Sequence, residues 1–310
     1  MHILFVSPPG IINVGSWRNT LAQIAPDICI VEPHESDAEL AEAALVQFPQ
    51  PGFLRRYPKL RVIFSLGAGV EHLWADPELP NVPIVKMASP MKARCMSEFI
   101  LYAVLRHHRG FDVHERNQLE HRWDRGPLYT PLAAERRVMV LGLGELGMHA
   151  AITLRDYGFA VSAWSRSLKS VVGVACYAGQ AGLDSVLPQT DILVSVLPHT
   201  HTTEGLLNAE LFAKLPRGAA VVNVGRGKLL VAKDLIAAIE RDHLSGATLD
   251  VHDPEPLPAD SVLWHPRVFN TPHVASYPPP ETAAPSLVEN IRRLQRGEPL
   301  LRLVDREAGY

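Results

Sequence analysis

Short runs of apolar and β-branched residues recur roughly 20 to 30 residues apart, with stretches of helical spacing between them, the rhythm of βαβ units and a parallel sheet. The pattern predicts strands at His2 to Val6, Ile28 to Val31, Ala44 to Val46, Val62 to Ser65 and Ile84 to Val85. A second, stronger series follows at Arg137 to Leu141, Ala160 to Trp164, Ile192 to Val196, Ala219 to Val224, Ala247 to Val251 and Val268 to Asn270. Between the series, a helix-compatible stretch from about Met96 runs through Phe99, Tyr102, Ala103 and Leu105, then turns polar from His107 to His121. His107, His108 and His114 read there as a solvated face. Gly126 to Glu135, with two prolines, reads as a surface loop. The last helix is expected over Glu281 to Arg296, with Leu287, Ile291 and Leu294 on one face and Gly297 as its C-cap. The fold class is α/β with two sheets.

Composition narrows the function. The chain has 310 residues, 47% hydrophobic and 20% charged, with a formal charge of −3, the balance of a globular enzyme acting on small molecules and not of a nucleic-acid-binding surface. No run reaches the roughly 18 apolar residues a membrane helix needs, and Met1 to Val6 is too short for a signal peptide, so a cytoplasmic protein without membrane partners is expected. Cys29, Cys95 and Cys176 are scattered, suit a reducing compartment and read as small buried fillers.

The first chemistry appears at Gly142-Leu-Gly144-Glu145-Leu146-Gly147, a G-x-G-x-x-G between a strand and a helix. Its glycines permit a tight turn, close backbone approach to a pyrophosphate, and close helix–strand packing, with helix N–H groups facing the anion. An NAD site places an acid about 20 residues beyond the first glycine. Here the second strand ends instead in Ser165-Arg166-Ser167-Leu168-Lys169, and the only acidic residue from Met148 to Leu183 is Asp156. Arg166 offers a planar fork of donors to a 2′-phosphate, Ser165 and Ser167 add hydroxyls and Lys169 adds charge, so NADP(H) is expected over NAD(H).

Three later strand ends carry Arg226 within Gly225-Arg-Gly227, Glu255 in the proline-stiffened loop after Asp250, and His273 in Thr271-Pro-His-Val-Ala275. Ligands of open α/β sheets bind at this edge. A 2-keto acid reduced by a nicotinamide needs its carboxylate held, its carbonyl polarised and a proton delivered to oxygen. Arg226 answers the first two needs, His273 the third, and Glu255 orients the imidazole and favours its charged form. Singly, each has a plain structural explanation; their shared edge argues for one site. His199-Thr-His201 lacks a third ligand, and no metal is predicted.

These motifs, with Val194-Ser-Val-Leu-Pro-His-Thr200, Asn223-Val-Gly-Arg-Gly227 and Asp250-Val-His-Asp-Pro-Glu-Pro-Leu257, resemble those of the D-isomer-specific 2-hydroxyacid dehydrogenases. Phe64 to Val70, Trp164 to Ser167 and Leu263 to Val268 are similar to the glyoxylate- and hydroxypyruvate-reducing branch. The resemblance implies two Rossmann-like domains, 1–98 with 278–310 for substrate and an inserted 99–277 for NADP(H), and a homodimer through the latter. It implies that Leu197, Pro198, Thr200, Val224 and Gly225 border the cofactor. Asp250 would hold the nicotinamide carboxamide, and the Ala68-Gly69 backbone would bind the substrate carboxylate. Reduction of a small 2-keto acid by NADPH is the expected activity. An NAD-dependent enzyme working oxidatively and a nicotinamide-sensing binding protein stand as alternatives.

Overall fold

The apolar runs become parallel strands in the computed structural model, which describes residues 1–8, 12–67, 69–87, 89–126, 130–277 and 279–306, with the backbone alone of 71 and 90. In chain order these are β1 (His2–Val6), α1 (Val14–Ile24), β2 (Cys29–Val31), β3 (Ala43–Val46), β4 (Val62–Ser65), α2 (Glu71–Trp74), β5 (Ile84–Lys86), α3 (Pro90–His108) and α4 (Phe111–Leu119). There follow β6 (Arg137–Leu141), α5 (Glu145–Tyr157), β7 (Ala160–Ser165), β8 (Ala175–Ala178), α6 (Gly179–Val186), β9 (Ile192–Ser195) and α7 (Ala209–Lys214). The chain ends with β10 (Ala219–Asn223), α8 (Ala232–Glu240), β11 (Leu244–Leu249), β12 (Val268–Asn270) and α9 (Pro280–Arg296). Two compact units result, Met1–Met91 with Pro278–Tyr310, and Lys92–Tyr277.

The first unit holds a five-stranded sheet in the order β2-β1-β3-β4-β5, every pair parallel. Because side chains alternate between faces along a strand, Ile3 and Phe5 enter one core while Leu4 enters the other. Both faces are therefore covered, and the strands read as unbroken apolar runs. On the first face, Trp17 and Leu21 of α1 meet Leu287 and Ile291 of α9, which brings the two ends of the chain into one core. Helix α9 begins on a proline, whose missing N–H costs nothing there, and stops at Gly297 with φ +69°.

The second unit holds seven parallel strands in the order β12-β11-β10-β9-β6-β7-β8. From β6 the chain works outward through β7 and β8, then returns to β9 on the other side. The direction of winding thus reverses between β6 and β9, the switch point where such sheets bind ligands beyond their carboxyl edge. The expected fold, two doubly wound parallel-sheet α/β units, is the observed one.

Four expectations need correction. The first crossing between units falls after Met91, not after residue 98, because Met96 already packs with Ile100, Ala103 and Val104 in the core of the second unit. Strand β8 was not expected; it lies at the sheet edge, only partly buried, and so lacks a continuous apolar run. Strand β11 starts at Leu244 although Gly246 interrupts its pattern; a Cβ there would lie 2.6 Å from the Arg267 carbonyl oxygen. The polar stretch is a solvated face only in part. It breaks at Gly110 (φ +68°) into α3 and α4, and buries Arg106, His108, Asp112 and Asn117, while His114 stays exposed. Arg106 pairs with Glu115 at 2.6 Å and lies over the Phe269 ring, and His107 Nε2 meets Thr248 Oγ1 at 3.0 Å. Burial, with Arg106 and Arg116 adding to it, pushes the His107 imidazole down to about 3.

Smaller details complete the frame. Ala133–Glu135 forms one helical turn in the expected loop, whose residues 127–129 lie outside the described ones. Cys29 is exposed and Cys95 and Cys176 half-buried, so none is a fully buried filler. Among the described residues no helix is long and apolar enough to cross a membrane.

Candidate active site

At the end of β6, whose Val138 to Leu141 are fully buried, the chain turns at Gly142 with φ +102°, a region open mainly to glycine. Gly147 must be glycine for a different reason, since a Cβ there would sit 1.8 Å from the Gly142 carbonyl oxygen. Gly144 caps α5 without a side-chain hydrogen bond, and a Cβ on it would meet no protein atom within 4 Å. The loop thus leaves open space before a helix N-terminus whose first amides, from Glu145, Leu146 and Gly147, have no partner within the helix. It fits the pyrophosphate of a dinucleotide.

The tip of β7 bends back on this loop: Lys169 Nζ donates to the Leu143 carbonyl at 2.6 Å. Ser165 is buried and gives its hydroxyl proton to the Ser167 carbonyl at 2.8 Å, which shapes the turn. Arg166 and Ser167 are exposed. Asp156, the lone acid of the region, is held by Arg155 on α5.

Three further loops pack backbone against backbone. A Cβ at Gly225 would lie 2.5 Å from the Leu197 carbonyl oxygen, and one at Gly227 would lie 2.0 Å from the His252 carbonyl carbon. The two glycines around Arg226 therefore let the ends of β9, β10 and β11 converge. Leu197 and Val224 are buried, and Val224 N–H donates to Ser195 at 3.0 Å. The β9 loop caps itself: Thr200 N–H donates to Thr203 Oγ1 at 2.8 Å, and that hydroxyl donates to the Pro198 carbonyl at 2.7 Å. His199 pairs with Glu204 at 3.1 Å, while His201 is exposed. Arg226 Nη1 donates to the Gly225 carbonyl at 2.6 Å.

Glu255 and His273 meet as expected, with Nδ1 and Oε2 2.9 Å apart. The other carboxylate oxygen accepts the His252 N–H at 2.8 Å. Burial pushes the Glu255 carboxyl up, but the hydrogen bonds from His273 and His252 outweigh it and hold the group below its usual range. His273 takes φ +57°, rare outside glycine, and its N–H is tied to the Asp250 carbonyl at 2.9 Å. Asp250 is buried, and its carboxylate accepts from Thr271 Oγ1 (2.6 Å), Val274 N–H (2.8 Å) and Ala275 N–H (2.9 Å). Here it organises the segment that presents His273.

Two residues escaped the sequence reading. His252 is buried, and its Nε2 meets Asn270 Oδ1 at 3.0 Å, linking the Glu255 loop to the strand before His273. Asn223 is buried under the Arg226 turn. A polar residue inside an otherwise apolar strand end was the available signal for Asn223. Of the expected substrate contacts in the first unit, Ala68 lies outside the described residues, and the Gly69 carbonyl accepts from Ser65 Oγ at 3.2 Å.

Residues 101–275 match the profile described as D-isomer specific 2-hydroxyacid dehydrogenase, NAD binding domain. A curated glyoxylate/hydroxypyruvate reductase A of Salmonella newport (strain SL254) is 37% identical over 317 residues, covering 100% of both chains. Among solved structures, a D-isomer specific 2-hydroxyacid dehydrogenase from Xanthobacter autotrophicus Py2 in complex with NADPH and MES has a TM-score of 0.92 and 42% identity, covering 100% of this chain and 99% of that one. An NADPH-dependent glyoxylate/hydroxypyruvate reductase from Sinorhizobium meliloti in complex with NADP and sulfate has a TM-score of 0.91 and 35% identity, covering 100% of both. These likenesses run the length of the chain, and the protein belongs to the D-isomer specific 2-hydroxyacid dehydrogenase family.

Proposed function

We propose that the protein reduces a small 2-keto acid of the glyoxylate or hydroxypyruvate type to the 2-hydroxy acid, with NADPH as reductant. The observation that carries this reading is the Glu255–His273 pair at 2.9 Å, on the same sheet edge as Arg226 and the dinucleotide loop. The names of the Salmonella and Sinorhizobium relatives support the substrate class, and the NADPH and NADP of the solved relatives support the cofactor.

Bound NADPH supplies a hydride to the carbonyl carbon. The amides of Glu145, Leu146 and Gly147 hold its pyrophosphate, and Arg166 and Ser167 receive the 2′-phosphate, with Lys169 tying that tip to the loop. Arg226 holds the substrate carboxylate through its planar fork and polarises the carbonyl. With Nδ1 committed to Glu255, His273 offers Nε2 and passes its proton to the carbonyl oxygen as the carbon is reduced. Glu255, held below its usual range and so ionised at neutral pH, keeps the ring oriented. The absence of an acid at the tip of β7 and the presence of Arg166 favour NADP(H) over an NAD-dependent oxidative enzyme. We further propose a homodimer through the second unit, where Phe111, Val113, Leu119 and Trp123 stand exposed.

Steady-state assays with purified protein, NADPH and a panel of 2-keto acids test the reading. Turnover of glyoxylate or hydroxypyruvate is expected, and NADPH left unoxidised by every member of the panel refutes it.

A further inference from the structure

Asn223 closes β10 with its side chain completely buried, in register with Ser195 on one side and Leu249 on the other. Strands buried on both faces are built from branched apolar residues, and an amide there is costly unless both ends are bonded. Both ends are. Oδ1 accepts the Gly225 N–H at 3.2 Å, and Nδ2 donates to the Arg226 carbonyl at 3.0 Å. One neighbour is a donor and the other an acceptor, which fixes the orientation of the amide. Its own backbone carbonyl accepts the Asp250 N–H at 3.0 Å, so the residue is anchored to β11. The turn it clasps has glycines at 225 and 227, which bring no side chains to pack it in place.

We infer that Asn223 is a positioning residue that fixes the 225–227 turn, and through it presents the Arg226 guanidinium in a single orientation to the substrate carboxylate. The inference rests on the 2-keto acid reading of the site. Without the amide, Gly225 N–H loses its acceptor and the Arg226 carbonyl keeps only the longer bond from Leu229 N–H at 3.3 Å, so the orientation of the turn's peptides is held less firmly. Arg226 then samples orientations in which its fork no longer matches a carboxylate. Misplacement of a binding group by about 1 Å costs on the order of 10²-fold in rate.

A double-mutant cycle on the full-length protein tests this. Asn223→Ala should lower kcat/KM for the 2-keto acid by about 10- to 100-fold, mostly through a higher KM, and leave the KM for NADPH within about twofold. Added to Arg226→Ala, the same substitution should cost nothing further, because it acts only through the arginine. If Asn223→Ala fails to fold, Asn223→Ser, which keeps a short hydroxyl acceptor, is read in the same cycle. Fully additive losses, or a fall in melting temperature with an unchanged KM for the 2-keto acid, overturn the inference. A wild type inert toward every 2-keto acid removes instead the reaction on which it rests, so the two failures are distinguishable.

Discussion

Replacement of Gly227 by alanine probes how closely the site depends on three converging loops. Gly227 lies outside the left-handed backbone region, so the effect is steric and not conformational. The added Cβ would lie 2.0 Å from the His252 carbonyl carbon, 2.1 Å from its oxygen and 2.6 Å from Asp253 N. Ordinary carbon contacts begin at about 3.5 Å, so the β10 and β11 loops must part by about 1.5 Å. All three atoms are backbone, and no rotamer change relieves the overlap. The His252 N–H holds Glu255 at 2.8 Å, and Glu255 holds His273 at 2.9 Å; a displacement of that size breaks the chain of bonds. Gly227→Ala should therefore lower kcat by about 10²-fold and stability by about 1–3 kcal/mol. Turnover is read from nicotinamide absorbance and stability from thermal melting. A variant with kcat within about twofold of wild type and an unchanged melting temperature would show that the loops do not converge as described.

Gly144→Ala makes the opposite prediction: with no protein atom within 4 Å of the new Cβ, melting should hold while the KM for NADPH rises about tenfold or more, and an unchanged KM would remove the loop from the pyrophosphate site. Arg166→Ala should raise the KM for NADPH and leave that for NADH nearly unmoved; a preference for NADH in wild type, unaffected by the substitution, would reverse the cofactor assignment. His107 supplies a pH test: its folded value of about 3 lies below the unfolded 6.5, so its contribution is fully present above 6.5 and is lost as pH falls through that window. At pH 5 the loss is about 2 kcal/mol, and His107→Gln should lose correspondingly less on the same acid shift in denaturant unfolding; equal losses would contradict the burial of a neutral ring.

The parts of this molecule legible in its sequence are those where local pattern and burial coincide. Strands covered on both faces appear as unbroken apolar runs, as in Val138 to Leu141, and the glycine loop needs only its own six residues and their flanks. Glu255 and His273 were legible because each follows a strand on one edge of the sheet. What escaped depends on partners distant in the chain. His107 is enclosed, and neutral through that burial, and it meets Thr248 across 141 residues; nothing in the local polar spacing announces that contact. Asp250 organises Thr271 to Ala275 from 21 to 25 residues away, a role invisible until β11 and β12 lie side by side. The inward bond of Ser165 Oγ to the Ser167 carbonyl is a feature of the folded turn that the basic, serine-rich spacing does not announce.

The central claim is that His273, oriented by Glu255, delivers the proton that completes reduction. The most direct measurement is the turnover of glyoxylate with NADPH by wild type and His273→Gln, beside NADPH binding measured by nucleotide fluorescence. The variant should lose about 10²- to 10⁴-fold in kcat while binding NADPH as wild type does. Equal turnover in the two proteins would contradict the claim.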